Sequence, residues 1–201
     1  MMKHYYNSMS RAITTDWMLK ELDVQHEQIN INFSEDSPEL LDLKTINPMG
    51  KLPTLVDGEC VITEAAAICA YLGDKYLEKK LAPAVESSQR AEYYRYLFIT
   101  GNTIEPALTL AASNIEHPNS ATAGWGDKTR VLATIEAMTP KSDWTLGDEF
   151  TAADVVFGGF LDSAVTFGML APSPKVEAYI SRIQQRPAYK QTHKSFGESI
   201  S

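Results

Sequence analysis

Between Tyr5 and Arg11 the chain reads "YYNSMSR", which sets the hydroxyls of Tyr5, Ser8 and Ser10 beside the guanidinium of Arg11. From Arg11 to Leu22 the apolar residues Ala12, Ile13, Trp17, Met18, Leu19 and Leu22 recur at helical spacing. Ser10 therefore stands just before a helix, where a hydroxyl and the positive end of the dipole together stabilise an anion. A serine in that place also serves as a plain N-cap, and the two roles are compatible. A second chemical candidate is "TEAAA", from Thr63 to Ala67, at the start of another helix. Its free N–H groups and dipole suit a carboxylate, Thr63 is the expected N-cap, and Glu64 offers negative charge. Capping alone accounts for Thr63 and Glu64 equally well. Between the two candidates lies Pro53, opening the short apolar run "TLV". Proline has no backbone N–H and is normally excluded from a paired strand, so its presence there needs a reason.

The composition narrows the classes. The net charge of −8 argues against broad nucleic-acid binding. No apolar run approaches the roughly 20 residues of a membrane span, and "MMKHYYNSMSR" lacks the uninterrupted apolar core of a signal peptide. The cysteines, Cys60 and Cys69, form no C-x-x-C pair, and their low number suits a reducing cytoplasm. His4, His26, His117 and His193 are scattered without ligand spacing, so no metal site is expected.

The elements that must position these residues follow from periodicity. "KHYYN" reads as a strand, residues 11–22 as a helix, and "EQININ" as a half-buried strand with Ile29, Ile31 and Phe33 on one face. A short helix is expected over Pro38–Thr45. Thr54–Val56 and Cys60–Ile62 form a hairpin around "DG", and a helix follows from about Glu64 to Tyr76. The order β-α-β then β-β-α makes a small mixed sheet with helices. Beyond a boundary near Leu81–Val85 no strand pattern appears, and helices are expected at about 88–112, 122–138, 152–169 and 174–184. In "EFTAADVVFGG" Thr151 and Asp154 have the spacing of a capping box, with Phe150 and Val155 placed as a hydrophobic staple.

The stretch "NPMGKLPTLVDGECVITEAAAICAYL", Asn47–Leu72, closely resembles the glutathione-binding segment of cytosolic glutathione transferases. "TLGDEFTAADVVFGG" is similar to the capped core helix of their helical domain, and "RIQQRPAYKQ" to their C-terminal ending. The resemblance implies an α+β fold: a thioredoxin-like domain over 1–80, then an all-helical domain over 86–201 that supplies an electrophile pocket. It implies a cis bond at Leu52-Pro53, with the Leu52 backbone pairing like a strand with the cysteinyl part of glutathione.

Further roles follow from the same resemblance. Glu64 takes the γ-glutamyl ammonium, and the helix N-terminus at Ala65 takes its carboxylate. The family's serine is replaced by Ala65, which keeps the N–H but loses a hydroxyl worth about 1–2 kcal/mol. Lys51 lies near the glycyl carboxylate. Ser10 resembles the thiol-activating residue of serine-type members, Tyr5 that of tyrosine-type members with Arg11 as the basic neighbour, and Ser8 is a third candidate. Tyr93, Tyr96 and Trp125 are candidate pocket walls, though helical aromatics more often pack a core. The implied activity is attack of glutathione thiolate on a small hydrophobic electrophile, in a detoxification enzyme of the cytoplasm. Glutathione is then a co-substrate, no further cofactor is needed, and a homodimer is the expected assembly. Another glutathione-dependent reaction, isomerase or peroxidase, and a non-catalytic binding protein are the alternatives.

Overall fold

The structure, a computed structural model, describes residues 1–34 and 37–200, the last six by backbone alone. It divides into two compact units, one of 1–79 joined by the segment from Arg186 onward, the other of 80–185.

The first unit is built on a four-stranded sheet of order β2-β1-β3-β4. Strand β1 (Met2–Tyr6) leads through a turn to helix α1 (Ala12–Leu22) and back to β2 (His26–Asn30), which runs parallel to β1. Helix α2 (Pro38–Ile46) starts from Ser37, whose hydroxyl accepts the Leu40 N–H at 3.2 Å. Strands β3 (Thr54–Asp57) and β4 (Cys60–Thr63) pair antiparallel, with β3 also antiparallel to β1. Gly58, at φ 62°, supplies the left-handed turn that the "DG" hairpin requires. Helix α3 (Ala65–Lys75) completes the β-β-α half. One core cluster joins Tyr5, Ile31, Leu40 and Leu43 between the sheet and α2. On the other side α1 buries Trp17, Met18, Leu19 and Leu22 completely or nearly so.

Two sequence expectations need correction here. Strand β2 ends at Asn30, so Ile31 enters the core but Phe33 does not, and its ring is 47% exposed. The chain also turns aside before Phe33, with Asn32 Oδ1 accepting the Ser34 N–H at 3.1 Å, which breaks the alternation that pattern reading extrapolates. The segment from Arg186, read from sequence as part of the helical domain, packs in the first unit. The Arg186 guanidinium grips both carboxylate oxygens of Glu21 at 2.7 and 2.8 Å, and Tyr189 meets Trp17 edge-to-face with ring centroids 5.1 Å apart.

The second unit is helical: α4 (Gln89–Ile99), α5 (Glu105–Ala112), α6 (Lys128–Met138), α7 (Ala152–Thr166) and α8 (Pro174–Gln184). The long helix expected over 88–112 is interrupted by a π-helical turn, Thr100–Ile104. Pro106 explains it, because it cannot donate into the helix and its ring crowds the carbonyl four residues earlier. Helix α7 is buried almost all round and forms the centre of the unit. At Gly158 a Cβ would overlap Ile183 Cδ1, so glycine permits the close approach of α7 and α8. The capping box at Thr151–Asp154 is present as the sequence indicates. The Asp154 carboxylate accepts from the N–H groups of Thr145 (2.8 Å) and Thr151 (3.0 Å) and from the Tyr179 hydroxyl (2.8 Å). Burial pushes its carboxyl up, against these donors, which pull it down. Helix α9 (Pro187–Ile200) belongs to the first unit and lies against α1.

Candidate functional site

The sheet register brings the sequence candidates to one edge. Tyr5 pairs with Thr54, and Thr54 pairs with Thr63. The C-terminal end of β1, the N-terminal end of β3 and the C-terminal end of β4 therefore coincide. From that one end emerge the turn 7–11, the Lys51-Leu52-Pro53 segment and Glu64-Ala65.

The Leu52-Pro53 peptide bond is cis. The Leu52 side chain packs inward on the Tyr5–Ile31–Leu40–Leu43 cluster. Its backbone N–H and C=O have no partner among the described residues. A backbone pair left open at a sheet end is what an extended ligand can join by strand-like pairing. Lys51 is exposed, and its carbonyl accepts from Asn47 Nδ2 (2.9 Å) and from the Thr54 hydroxyl (3.2 Å).

Glu64 stands at φ 68°, ψ 124°, a conformation that costs a non-glycine residue about 1–3 kcal/mol. It is the N-cap of α3 and makes no side-chain cap hydrogen bond. Thr63, expected to be the cap, is instead the last residue of β4. The reversal at Glu64 lets α3 begin immediately after the strand. It leaves the carboxylate exposed and the first N–H groups of α3 without a side-chain cap.

In the turn 7–11, the Ser10 hydroxyl donates to the Asn7 carbonyl at 2.7 Å and accepts the Ala12 N–H at 3.2 Å. Ser10 thus serves the start of α1, where Arg11 is the N-cap residue and makes no side-chain cap bond. Ser8, half-buried in the same turn, makes no hydrogen bond to the described residues. Tyr5 points elsewhere: its hydroxyl donates to Asp42 of α2 at 3.2 Å. Burial and the Asp42 carboxylate push that phenol up. The structure therefore gathers Ser8, Ser10, Arg11, Lys51, Leu52, Pro53, Glu64 and Ala65 at one sheet end and directs the Tyr5 hydroxyl into the α2 side of the unit.

Two asparagines that build this edge escape a sequence reading aimed at chemistry. Asn47, buried, donates through Nδ2 to both Lys51 O (2.9 Å) and Thr54 Oγ1 (3.0 Å) and accepts the Met49 N–H at 3.2 Å. Asn7 donates to Ile31 O and accepts the Met9 N–H, both at 2.8 Å. The Asn-Pro dipeptide at Asn47 is a turn signal that marks the first; nothing in the sequence marks the second.

In the helical unit, Tyr93 and Tyr96 are buried, with the Tyr96 hydroxyl donating to Met138 O at 2.7 Å. Both pack in the core of the unit. Trp125 helps line a cavity of about 540 Å³ with Leu110, Ile115 and His117.

A mixed sheet with a cis-proline edge and an open helix start, followed by an all-helical unit, defines a thioredoxin-like fold with a helical partner. Residues 1–74 match the family model "Glutathione S-transferase, N-terminal domain" and residues 102–187 match "Glutathione S-transferase, C-terminal domain". The two matches together take in most of the chain, which belongs to the glutathione S-transferase family. It is 27% identical to "Glutathione S-transferase Z2" of Arabidopsis thaliana, over 93% of this chain and 86% of that protein. It is also 27% identical to "Probable maleylacetoacetate isomerase" of Caenorhabditis elegans, over 94% of this chain and 90% of that protein. Among solved structures, a sphingomonad glutathione S-transferase complexed with glutathione aligns at TM-score 0.77 and 26% identity, covering 97% of this chain and 98% of the other. Among the described residues no helix is long and apolar enough to cross a membrane.

Proposed function

We propose that the chain is a glutathione-dependent enzyme that joins the glutathione thiolate to small hydrophobic electrophiles. The observation that carries this reading is the open Leu52 backbone beside Glu64 at one sheet end. In this reading Leu52 pairs with the cysteinyl backbone of glutathione. Glu64 holds the γ-glutamyl ammonium, the N–H groups at Ala65 and the dipole of α3 hold its carboxylate, and Lys51 faces the glycyl carboxylate. The thiol then lies at the turn 7–11. Donation from Ser10, with Arg11 and the start of α1 nearby, stabilises the thiolate. A drop of about two pKa units, near 2.7 kcal/mol, makes a thiol of ordinary pKa mostly ionised at neutral pH. For this the Ser10 proton turns from the Asn7 carbonyl to the sulfur; Ser8, whose hydroxyl is uncommitted, is the alternative donor. The thiolate attacks a soft electrophilic carbon and the leaving group departs, with the thiol proton lost to solvent. The assembly proposed with it is a homodimer in the cytoplasm.

A second reading, glutathione-dependent cis–trans isomerisation, is favoured by the zeta-class and isomerase names among the relatives. Retention on immobilised glutathione followed by two assays separates the possibilities. Release of halide from an aryl halide supports conjugation, and isomerisation of a cis-enedione acid without conjugate supports the second reading. Retention with neither activity leaves a binding protein, and failure to be retained overturns the glutathione site itself. Ser10→Ala and Ser8→Ala then assign the donor; full activity in both overturns the turn as the activating element.

A further inference from the structure

Across β1 and β2, on the face of the sheet that α1 covers, the fold joins two histidines that lie 22 positions apart in sequence. His4 pairs in register with Gln28, and Met2 with His26, so His4 and His26 sit diagonally on the same face of adjacent parallel strands. Helix α1 covers that face and adds Asp16. One ligand atom from each of the three residues lies within 4.8 Å of the others. The two histidine rings stand edge to face, with centroids 5.8 Å apart.

The hydrogen bonds around the trio fix which atoms are free. The Thr15 hydroxyl has one proton, donated to Ala12 O at 3.0 Å, so at 2.8 Å it must accept from His4 Nε2–H. His4 is therefore the Nε2–H tautomer, and its Nδ1 lone pair points away from that bond. His26 Nδ1 lies 2.9 Å from the Val24 carbonyl, which can only accept, so in the neutral ring the lone pair is on Nε2. Asp16 Oδ2 takes the Lys20 ammonium at 2.7 Å, leaving Oδ1. His4 Nδ1 and Asp16 Oδ1 are both buried and have no hydrogen-bond partner among the described residues. Unpaired buried polar atoms cost about 1–3 kcal/mol each, and both belong to the trio whose ligand atoms lie within 4.8 Å of one another.

We propose that His4 Nδ1, His26 Nε2 and Asp16 Oδ1 bind a divalent first-row metal ion of the zinc type, with solvent completing the coordination. Two imidazoles and a carboxylate are a ligand set such ions favour. Each histidine already has its other nitrogen donating to an oxygen, the outer-shell arrangement that orients metal-bound imidazoles. Half-buried His26 gives the route in from solvent. Bonds near 2.0–2.1 Å put tetrahedral ligands roughly 3.3 Å apart, so the trio closes by on the order of 1 Å when the ion enters. The ion then ties β1, β2 and α1 together, independently of what the chain catalyses.

Cobalt(II) tests this, because its visible absorption reports coordination. The full chain, made without a histidine tag, is titrated with cobalt and then with zinc. One cobalt per chain is expected, with the intense absorption of a four-coordinate site that zinc abolishes. His26→Ala lowers the affinity by at least about tenfold, the smallest loss typical of disturbing a metal site, and Asp16→Asn does the same. Zinc raises the midpoint of thermal unfolding of the native chain but not of His26→Ala. His117→Ala, in the other unit, binds cobalt unchanged. His26 is the primary variant because its removal leaves the buried core intact, which the unfolding transition verifies. No saturable cobalt spectrum, binding that survives His26→Ala or Asp16→Asn, or binding lost in His117→Ala overturns the site.

Discussion

Two helix starts in this molecule are built to opposite specifications. At α7, Thr151 and Asp154 bond reciprocally, and the same carboxylate also satisfies Thr145 and Tyr179. At α3, Glu64 sits at positive φ, makes no cap bond and is exposed. The first start is completed by side chains of the protein itself; the second leaves donors and a carboxylate free at a cost in strain. A helix N-terminus is the same electrostatic object in both places. What differs is whether the protein or a ligand completes it, and that difference separates a folding element from a recognition element.

The largest expected effect lies at Asp154. Asp154→Ala leaves two buried N–H groups and the Tyr179 hydroxyl without their acceptor, at about 1–3 kcal/mol for each group, giving a total loss of about 4 kcal/mol once partial relaxation is allowed. Urea unfolding should register this as a large fall in midpoint, and Asp154→Asn, which keeps one acceptor oxygen, should lose about half as much. A loss below about 1 kcal/mol would show that α7 does not depend on its start, and the contrast would collapse.

The reverse substitution belongs at α3. Glu64→Gly relieves the positive φ and should raise stability by about 1 kcal/mol, after the entropy cost of glycine is deducted. It also removes the proposed partner of the ligand ammonium, so affinity for glutathione should fall by about 2 kcal/mol, roughly thirtyfold. Calorimetric titration and thermal unfolding of the same preparation test both signs. Stability and affinity falling together would mean that Glu64 holds the fold, as Asp154 does, and is no recognition residue.

The two helix starts also differ in how far the sequence discloses them. Thr151 and Asp154 stand three residues apart on one helix, so local spacing suffices to read them. The placement of Thr63 as a cap fails because local residue preference cannot register that β4 continues through Thr63 and that the chain reverses at Glu64. The strands and most helices follow from periodicity, and the proline edge follows from the resemblance of Asn47–Leu72, whereas the strand order β2-β1-β3-β4 comes from the fold alone. Long-range pairing is less accessible. The Tyr5 hydroxyl finds Asp42, α9 finds α1 through Arg186 and Glu21, and His4 finds His26 through strand register. None of these has a local signal, because each depends on which surfaces the tertiary fold presses together.

A smaller effect sharpens the reading of α3. Ala65→Ser adds one hydroxyl at the open N-terminus, beside the proposed carboxylate. One further donor to a charged group should improve glutathione affinity by about 1 kcal/mol, roughly fivefold, while stability changes by less than about 0.5 kcal/mol. A gain in stability with no gain in affinity would identify the new hydroxyl as a cap and place α3 in the same category as α7.

The smallest effect concerns what holds α3 despite its strained start. Asp57, at the end of β3, accepts from Tyr71 at 2.7 Å and from the Lys75 ammonium, tying the hairpin to the C-terminal half of the helix. These donors, Lys75 first and Tyr71 second, hold the Asp57 carboxyl below its ordinary value of 3.8. A carboxylate lowered on folding contributes stability above its unfolded pKa and loses it as pH falls through the folded one, so this contribution begins to decline below about pH 3.8 and is gone once the pH has passed the lowered folded value. The Lys75 and Asp57 side chains are 36% and 19% exposed, so screening by solvent limits the gain to about 0.5 kcal/mol. Unfolding free energies for the native chain and Asp57→Asn should differ by that amount at pH 7 and converge as the pH falls below 3.8. If Glu64→Gly leaves the Asp57 contribution unchanged, the strained start and this anchor are independent, and the strain at α3 is offset by the buried Ile68, Cys69 and Leu72 instead.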